Sequence, residues 1–232
     1  PVFFKKDVLQ RYLSRPDIFS VEAGYLRCQQ LWGIEIDNEH KDVVSVYLGD
    51  LGRDLPAQEQ AHWKQYNIAT DENLSTNAIK KDFLCAFTRP EISDLKFKSN
   101  FEQFVDAWRK KYQWDLFLPL SQDDEYNFKT LHLPITGGQE EFDHLVLSLV
   151  KTIIDSLNEK EIVKQFKNST DLKGGISKLE CWLSELNLSD YQQQIKFLRN
   201  LQELRSTGTG HRKGKGYKKI AEVFGLDTDN YV

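Results

Sequence analysis

Phe142, Leu145, Val146, Leu149, Ile153 and Leu157 recur at spacings of three and four, a pattern that only a helix turns into one continuous apolar face. It predicts a helix from about Gln139 to Asn158. Three more such segments follow. Ile176, Leu179, Leu183 and Leu186 form the second, after the Gly174-Gly175 break, and Tyr191, Ile195, Leu198, Leu201 and Leu204 form the third. A short fourth runs from Tyr217 to Phe224. Four helices joined by short linkers predict a small antiparallel bundle. Apolar runs such as Leu145–Leu149 fall far short of the ~20 residues needed to cross a bilayer, which argues against a transmembrane chain.

Upstream the pattern is mixed. Lys5–Leu13 is amphipathic and should stop before Pro16, because the residue preceding a proline is pushed out of the helical well. Trp32, Ile34 and Ile36 alternate with polar residues across Leu31–Ile36, and Val43–Leu48 is β-branched and apolar. With Asp37-Asn38-Glu39-His40 as the turn, these two segments predict a β-hairpin. Pro56 suits the first turn of a helix, and Ser75–Phe87 and Phe97–Tyr112 read as further helices. In the latter, Phe97, Phe101, Phe104, Val105 and Trp108 should form an aromatic core face. A break at Leu133-Pro134-Ile135-Thr136-Gly137-Gly138 divides the chain into an α+β region, 1–136, and a helical bundle, 137–232. The fold class expected is α+β, mainly α.

The 232 residues carry a net charge of -4, so nucleic-acid binding would require a local basic patch. Residues 1–136 hold 17 Lys+Arg against 21 Asp+Glu, whereas residues 137–232 hold 14 of each. Cys28, Cys85 and Cys181 lie too far apart for a CxxC zinc or redox motif. Their odd number, without a signal peptide, favours a reducing cytoplasm. A chain that starts Pro1-Val2-Phe3-Phe4 and contains no Met reads as part of a longer protein.

The positive charge concentrates in one place. Arg205, Arg212, Lys213, Lys215, Lys218 and Lys219, with His211, four glycines and no acid, occupy Arg205–Lys219. Glycines let the backbone approach a ligand, and Lys and Arg suit phosphate oxygens. Tyr217 could stack on a base. A solvated Gly-rich turn, its cations complementing a helix C-terminus, would account for the same composition. The segment is not a P-loop. Thr209 stands where the first Gly is needed and Gly216 where a hydroxyl residue should follow Lys215. No cofactor motif is present elsewhere.

Arg205 continues the face of Leu198 and Leu201, where an unpartnered charge is costly, and His211 follows just after the helix should end. Arg holds phosphate with a fixed charge, and His moves protons near neutrality. This Arg-x5-His pair, late in a helical bundle, resembles the signature of the HEPN superfamily, with Arg205, Ser206 and His211 at the matching positions. The resemblance covers about 138–232. Gly208 and Gly210 depart from it, since each disfavours helix by ~1 kcal/mol. It implies a four- or five-helix bundle that dimerises and, in many members, cleaves RNA without metal in bacterial defence or toxin systems. Catalysis would fall to Arg205, Ser206 and His211, and RNA binding to Arg212, Lys213, Lys215, Tyr217, Lys218 and Lys219. The competing expectation is a non-catalytic interaction or assembly domain of a larger bacterial protein, its aromatic-rich first region docking a partner chain.

Asp50, Asp54, Glu59 and His62 could in principle bind a hard metal or do acid/base work. Asp54 as a helix N-cap and His62-Trp63 as packing residues explain the same stretch. His40, His132 and His144 have no second His at ligand spacing, and no metal site is expected.

Overall fold

The computed structural model describes residues 1–84, 91–135, 137–166, 172–186, 190–209, 213–228 and 231. The chain packs into two compact units, Pro1–Asn100 and Phe101–Val232. The architecture is α+β, mainly α.

The first unit contains the strands β1 (Val2–Lys5), β2 (Phe19–Val21), β3 (Tyr25–Cys28), β4 (Trp32–Glu35), β5 (Val43–Val46) and β6 (Asn67–Ile68). They form two antiparallel three-stranded sheets, ordered β5-β1-β6 and β2-β3-β4. A 3-10 turn, Lys6–Leu9, leads into α1 (Gln10–Leu13). The helical stretch thus ends ahead of Pro16, as expected.

The expected hairpin does not form. Both strands exist, but β4 pairs with β3 (Cys28 opposite Trp32) and β5 with β1 (Phe4 opposite Val44). Only the bridge between Asp37 and Ser45 links the two expected partners. The cause is the short turn after Cys28, where Gln29 takes φ 45 and returns β4 along β3. Within β4, Gly33 leaves room for the Tyr25 ring, whose outer atoms would lie 2.6 Å from a Cβ placed there.

Alternation in β5 sends Val44 and Val46 into a core with Phe4, Leu26 and Ile34. Two helices complete that core: α2 (Leu48–Asp54), which begins where the strand was expected to continue, and α3 (Ala57–Lys64). Pro56 stands at the N-cap of α3 and Asp54 ends α2, so Asp54 caps nothing. The buried Glu59 carboxylate accepts the Tyr12 hydroxyl at 2.6 Å and pairs with Arg11 at 3.2 Å. Trp63, with no exposed surface, donates its indole N–H to the Tyr12 oxygen at 2.9 Å. This network is internally satisfied, which is what a buried charge requires. The helix α4 (Thr76–Leu84) follows; Cys85 lies outside the described residues.

The helix α5 (Ser93–Tyr112) begins in the first unit and continues into the second. Its aromatic face is not core: none of its residues is buried, and Phe104 is 43% exposed. Its rings nonetheless pack, Phe101 against Phe117 and Phe128, and Trp108 against Trp114 and Trp182. The second unit continues through α6 (Glu125–Lys129), α7 (Gln139–Val150), α8 (Glu159–Lys164), α9 (Gly175–Glu185), α10 (Tyr191–Gly208) and α11 (Lys215–Val223). The long helix expected from 139 to 158 converts to a π-helical turn at Lys151–Asp155. Phe142, Val146, Ile153 and Leu157 of the expected stripe are buried, together with Val150 and Ile154, whereas Leu145 and Leu149 are only half so. α10 packs against α7, α9 and α11, giving the expected bundle-like centre.

The Leu133–Gly138 segment lies inside this second unit. Pro134 is buried, and the Ile135 N–H donates to Glu141 at 3.0 Å. Among the described residues no helix is long and apolar enough to cross a membrane.

Candidate nucleic-acid interface

Ile195, Leu201 and Leu204 bury one side of α10, and Arg205 and Ser206 follow in its last turn, both half-buried. The turn closes on itself: the Thr209 N–H and hydroxyl both donate to the Arg205 carbonyl, at 2.9 and 2.8 Å. The Arg205 guanidinium has no ion pair or side-chain hydrogen bond among the described residues. Gly208 continues the helix, contrary to its propensity. A Cβ there would stand 3.2 Å from the Tyr217 ring, so packing rather than a helix stop explains this glycine.

Tyr217 is a pillar between α11 and the start of α7, not a stacking platform. It is 4% exposed, and its oxygen lies 2.9 Å from the Tyr231 hydroxyl and accepts from the Gln139 amide at 3.3 Å. Burial, and then the Tyr231 hydrogen bond, push its hydroxyl well above the ordinary tyrosine range. Lys213 is likewise committed. Its ammonium pairs with Asp143 and sits 5.0 Å from the centre of the Tyr217 ring.

Lys215, Lys218 and Lys219 are exposed on α11. Gly214, at the N-cap, supplies no side-chain hydrogen bond, and no acid occupies the first turn. Helix N-termini are stabilised by negative charge, and here cations occupy that position over uncapped backbone N–H groups. The structure therefore brings Arg205, Ser206 and three exposed lysines to the joined ends of α10 and α11, and it removes Tyr217 and Lys213 from the accessible set. His211 and Arg212 lie outside the described residues.

Asp50, Asp54, Glu59 and His62 do not converge on one site. Asp50 and Asp54 both pair with Arg53, at 2.8 and 2.7 Å, Glu59 belongs to the Tyr12 network, and His62 Nε2 meets the Val8 carbonyl at 3.0 Å. Among the described residues no group of three or more His, Cys, Asp or Glu side chains could hold a metal ion.

Sequence reasoning missed a buried polar segment. Asp37 and Asn38, expected in a turn, are each 5% exposed. Lys6 donates to the Asn38 and His40 carbonyls at 3.0 and 2.5 Å, and Asp37 accepts the Ser75 N–H at 2.7 Å. Glu39 accepts the backbone N–H groups of Glu91 and Ile92, at 2.9 and 3.3 Å, just ahead of α5. Burial lowers the Lys6 ammonium to about 8, against the opposing pull of nearby carboxylates, Asp94 foremost. The only local signal was four consecutive polar residues between two apolar strands.

No protein-family model, curated protein or solved structure matches the chain.

Proposed function

We propose that this is an RNA-binding protein that takes the phosphate backbone at the joined ends of α10 and α11, and that paired copies cut RNA there without metal. The observation that carries this reading is the lysine-bearing, uncapped N-terminus of α11 beside the uncommitted Arg205. Free backbone N–H groups, exposed lysines and an available guanidinium together suit phosphate oxygens. The chemistry follows the HEPN resemblance. The ribose 2′-hydroxyl attacks the adjacent phosphorus in line, and the 5′-oxygen leaves with a proton. Arg205 holds the phosphate and stabilises the developing charge, and His211 moves the protons. Such an enzyme belongs in a bacterial defence or toxin system.

Anisotropy titrations of a single-stranded RNA across a salt series test the binding step. Replacing Lys215, Lys218 and Lys219 with Gln should weaken binding and flatten the logarithmic salt slope by roughly 0.7 for each phosphate that is no longer neutralised. Cleavage of a mixed RNA pool tests catalysis. His211→Ala should abolish cutting but spare affinity, Arg205→Ala should reduce both, and EDTA should change neither. An unchanged slope refutes the interface, and metal-dependent cutting refutes the mechanism.

A second observation favours the non-catalytic assembly reading. Phe104, Trp108, Phe117, Leu183 and Phe197 line an open apolar groove of about 500 Å³ in the second unit. If the wild-type chain neither binds nor cuts RNA, that reading takes precedence.

A further inference from the structure

In the first unit, the strand alternation that sends Val44 and Val46 into the aromatic core places Ser45 on the opposite face. That face is covered by the chain around α4. Ser75 donates to Asp37 at 2.7 Å, Tyr47 donates to Asp82 at 3.0 Å, and Lys81 pairs with Glu35 at 3.5 Å. Between the sheet and this cover lies a cleft of about 60 Å³. Leu74 and Ala78, from the covering chain, supply its apolar wall. Four carboxylates line it, Glu35, Asp37, Glu39 and Asp82, against two cations, the Lys81 ammonium and the Pro1 amino group. Lys6 is attracted by two of these acids, Asp37 and Glu39, but commits its N–H groups to the Asn38 and His40 carbonyls.

Charge alone would not make this a site. The second observation is Ser45, which is 1% exposed, lines the cleft, and has a hydroxyl with no hydrogen-bond partner among the described residues. A buried hydroxyl left unpaired is costly, and natural structures rarely keep one without a use. An unpaired acceptor among carboxylates, over an apolar wall, is complementary to a cation that carries methylenes. A hydrated inorganic ion would not use the wall, and an anion would be repelled.

We propose that this cleft binds a small aliphatic amine. Its ammonium donates to Ser45 Oγ and the surrounding carboxylates, and its first methylenes lie against Leu74 and Ala78. The volume admits roughly four water-sized groups, which is the ammonium and a short alkyl stem. The remainder of a longer amine would reach solvent.

The probe is 1,4-diaminobutane, titrated calorimetrically into the whole chain, with 1,4-butanediol as the neutral isostere and sodium chloride at matched ionic strength as the charge control. Saturable binding of one diamine per chain, with neither control producing it, is the expected result. Ser45→Ala should weaken binding about tenfold or more, as loss of a hydrogen bond to a charged group does. The same variant should melt at or above the wild-type temperature, since it removes an unsatisfied buried hydroxyl. Asp82→Asn keeps an acceptor for Tyr47 while removing one charge, and it should also weaken binding. Absence of diamine binding, equal response to the diol or the salt, or wild-type affinity in both variants would each overturn the proposal.

Discussion

Lys6 offers a test whose sign is fixed by its surroundings. Desolvation lowers its ammonium to about 8 in the folded chain, from 10.5 when unfolded. Over the interval between those values the unfolded state binds more protons, so stability rises with pH. The cost of keeping the lysine charged is present in full below about pH 8 and is relieved as pH climbs toward 10.5. Worked through the linkage relation, wild type gains about 2 kcal/mol from this one group between roughly pH 7.5 and 9.5. Lys6→Met removes the titration and also the two hydrogen bonds to the Asn38 and His40 carbonyls, a loss that does not vary with pH. Other titrating groups are common to both proteins and cancel in the difference. Urea unfolding of the pair across this range should therefore show the wild-type advantage growing with pH, by on the order of 1 M in midpoint. A difference that is flat, or that shrinks as pH rises, would refute the argument that burial governs this lysine.

Three further outcomes follow from packing. Tyr12→Phe strands the Trp63 indole N–H and takes one of two partners from the Glu59 carboxylate, so urea unfolding should register a loss of about 2–3 kcal/mol. Ile154→Ala, in the π-helical turn, should cost about 2–5 kcal/mol, and Leu145→Ala on the half-buried side should cost clearly less; equal losses would contradict the difference in burial. Gly208→Ala should gain helix propensity yet still lower stability by about 1 kcal/mol net, read in a lower melting temperature. The Tyr217 ring that the new Cβ meets at 3.2 Å is held by Tyr231 and Gln139.

What the sequence made legible was whatever depends on period. The stripes at 142–157, 176–186 and 191–204 became α7, α9 and α10, and both expected strands formed. Partner choice was not legible. Alternation says which face of a strand is buried, but not that the turn at Gln29 would give β4 to β3 and leave β5 to β1. The π-helical turn was hidden for a related reason, since apolar residues at 3.6 spacing read as an unbroken helix. Tyr217 shows the limit at the candidate site. An aromatic between lysines fits a stacking face and a core pillar equally, and only the Tyr231 and Gln139 contacts separate the two. The buried Asp37–His40 segment was unreadable because α4, far along the chain, supplies the partners that make its burial tolerable.

Among the described residues, some charged groups are explained by folding, and Arg205 is not. Glu59 is buried, yet it has Tyr12 and Arg11, and nothing beyond the first unit is needed to account for it. Lys213 meets Asp143, and its cation rests on an aromatic ring. Arg53 has two carboxylate partners within its own helix. Arg205 differs: it is half-buried at a helix C-terminus, where the helix dipole contributes only about 0.3–1 kcal/mol, and no carboxylate among the described residues approaches it. A long cationic side chain in that position gives up hydration without an internal return. An anion delivered from outside would restore the balance, and the lysines of α11 stand where they would attract one. Arg205→Met should therefore leave the folded chain about as stable as wild type while weakening RNA binding. A large loss of stability instead would mean that the guanidinium has an internal partner and that the interface lies elsewhere.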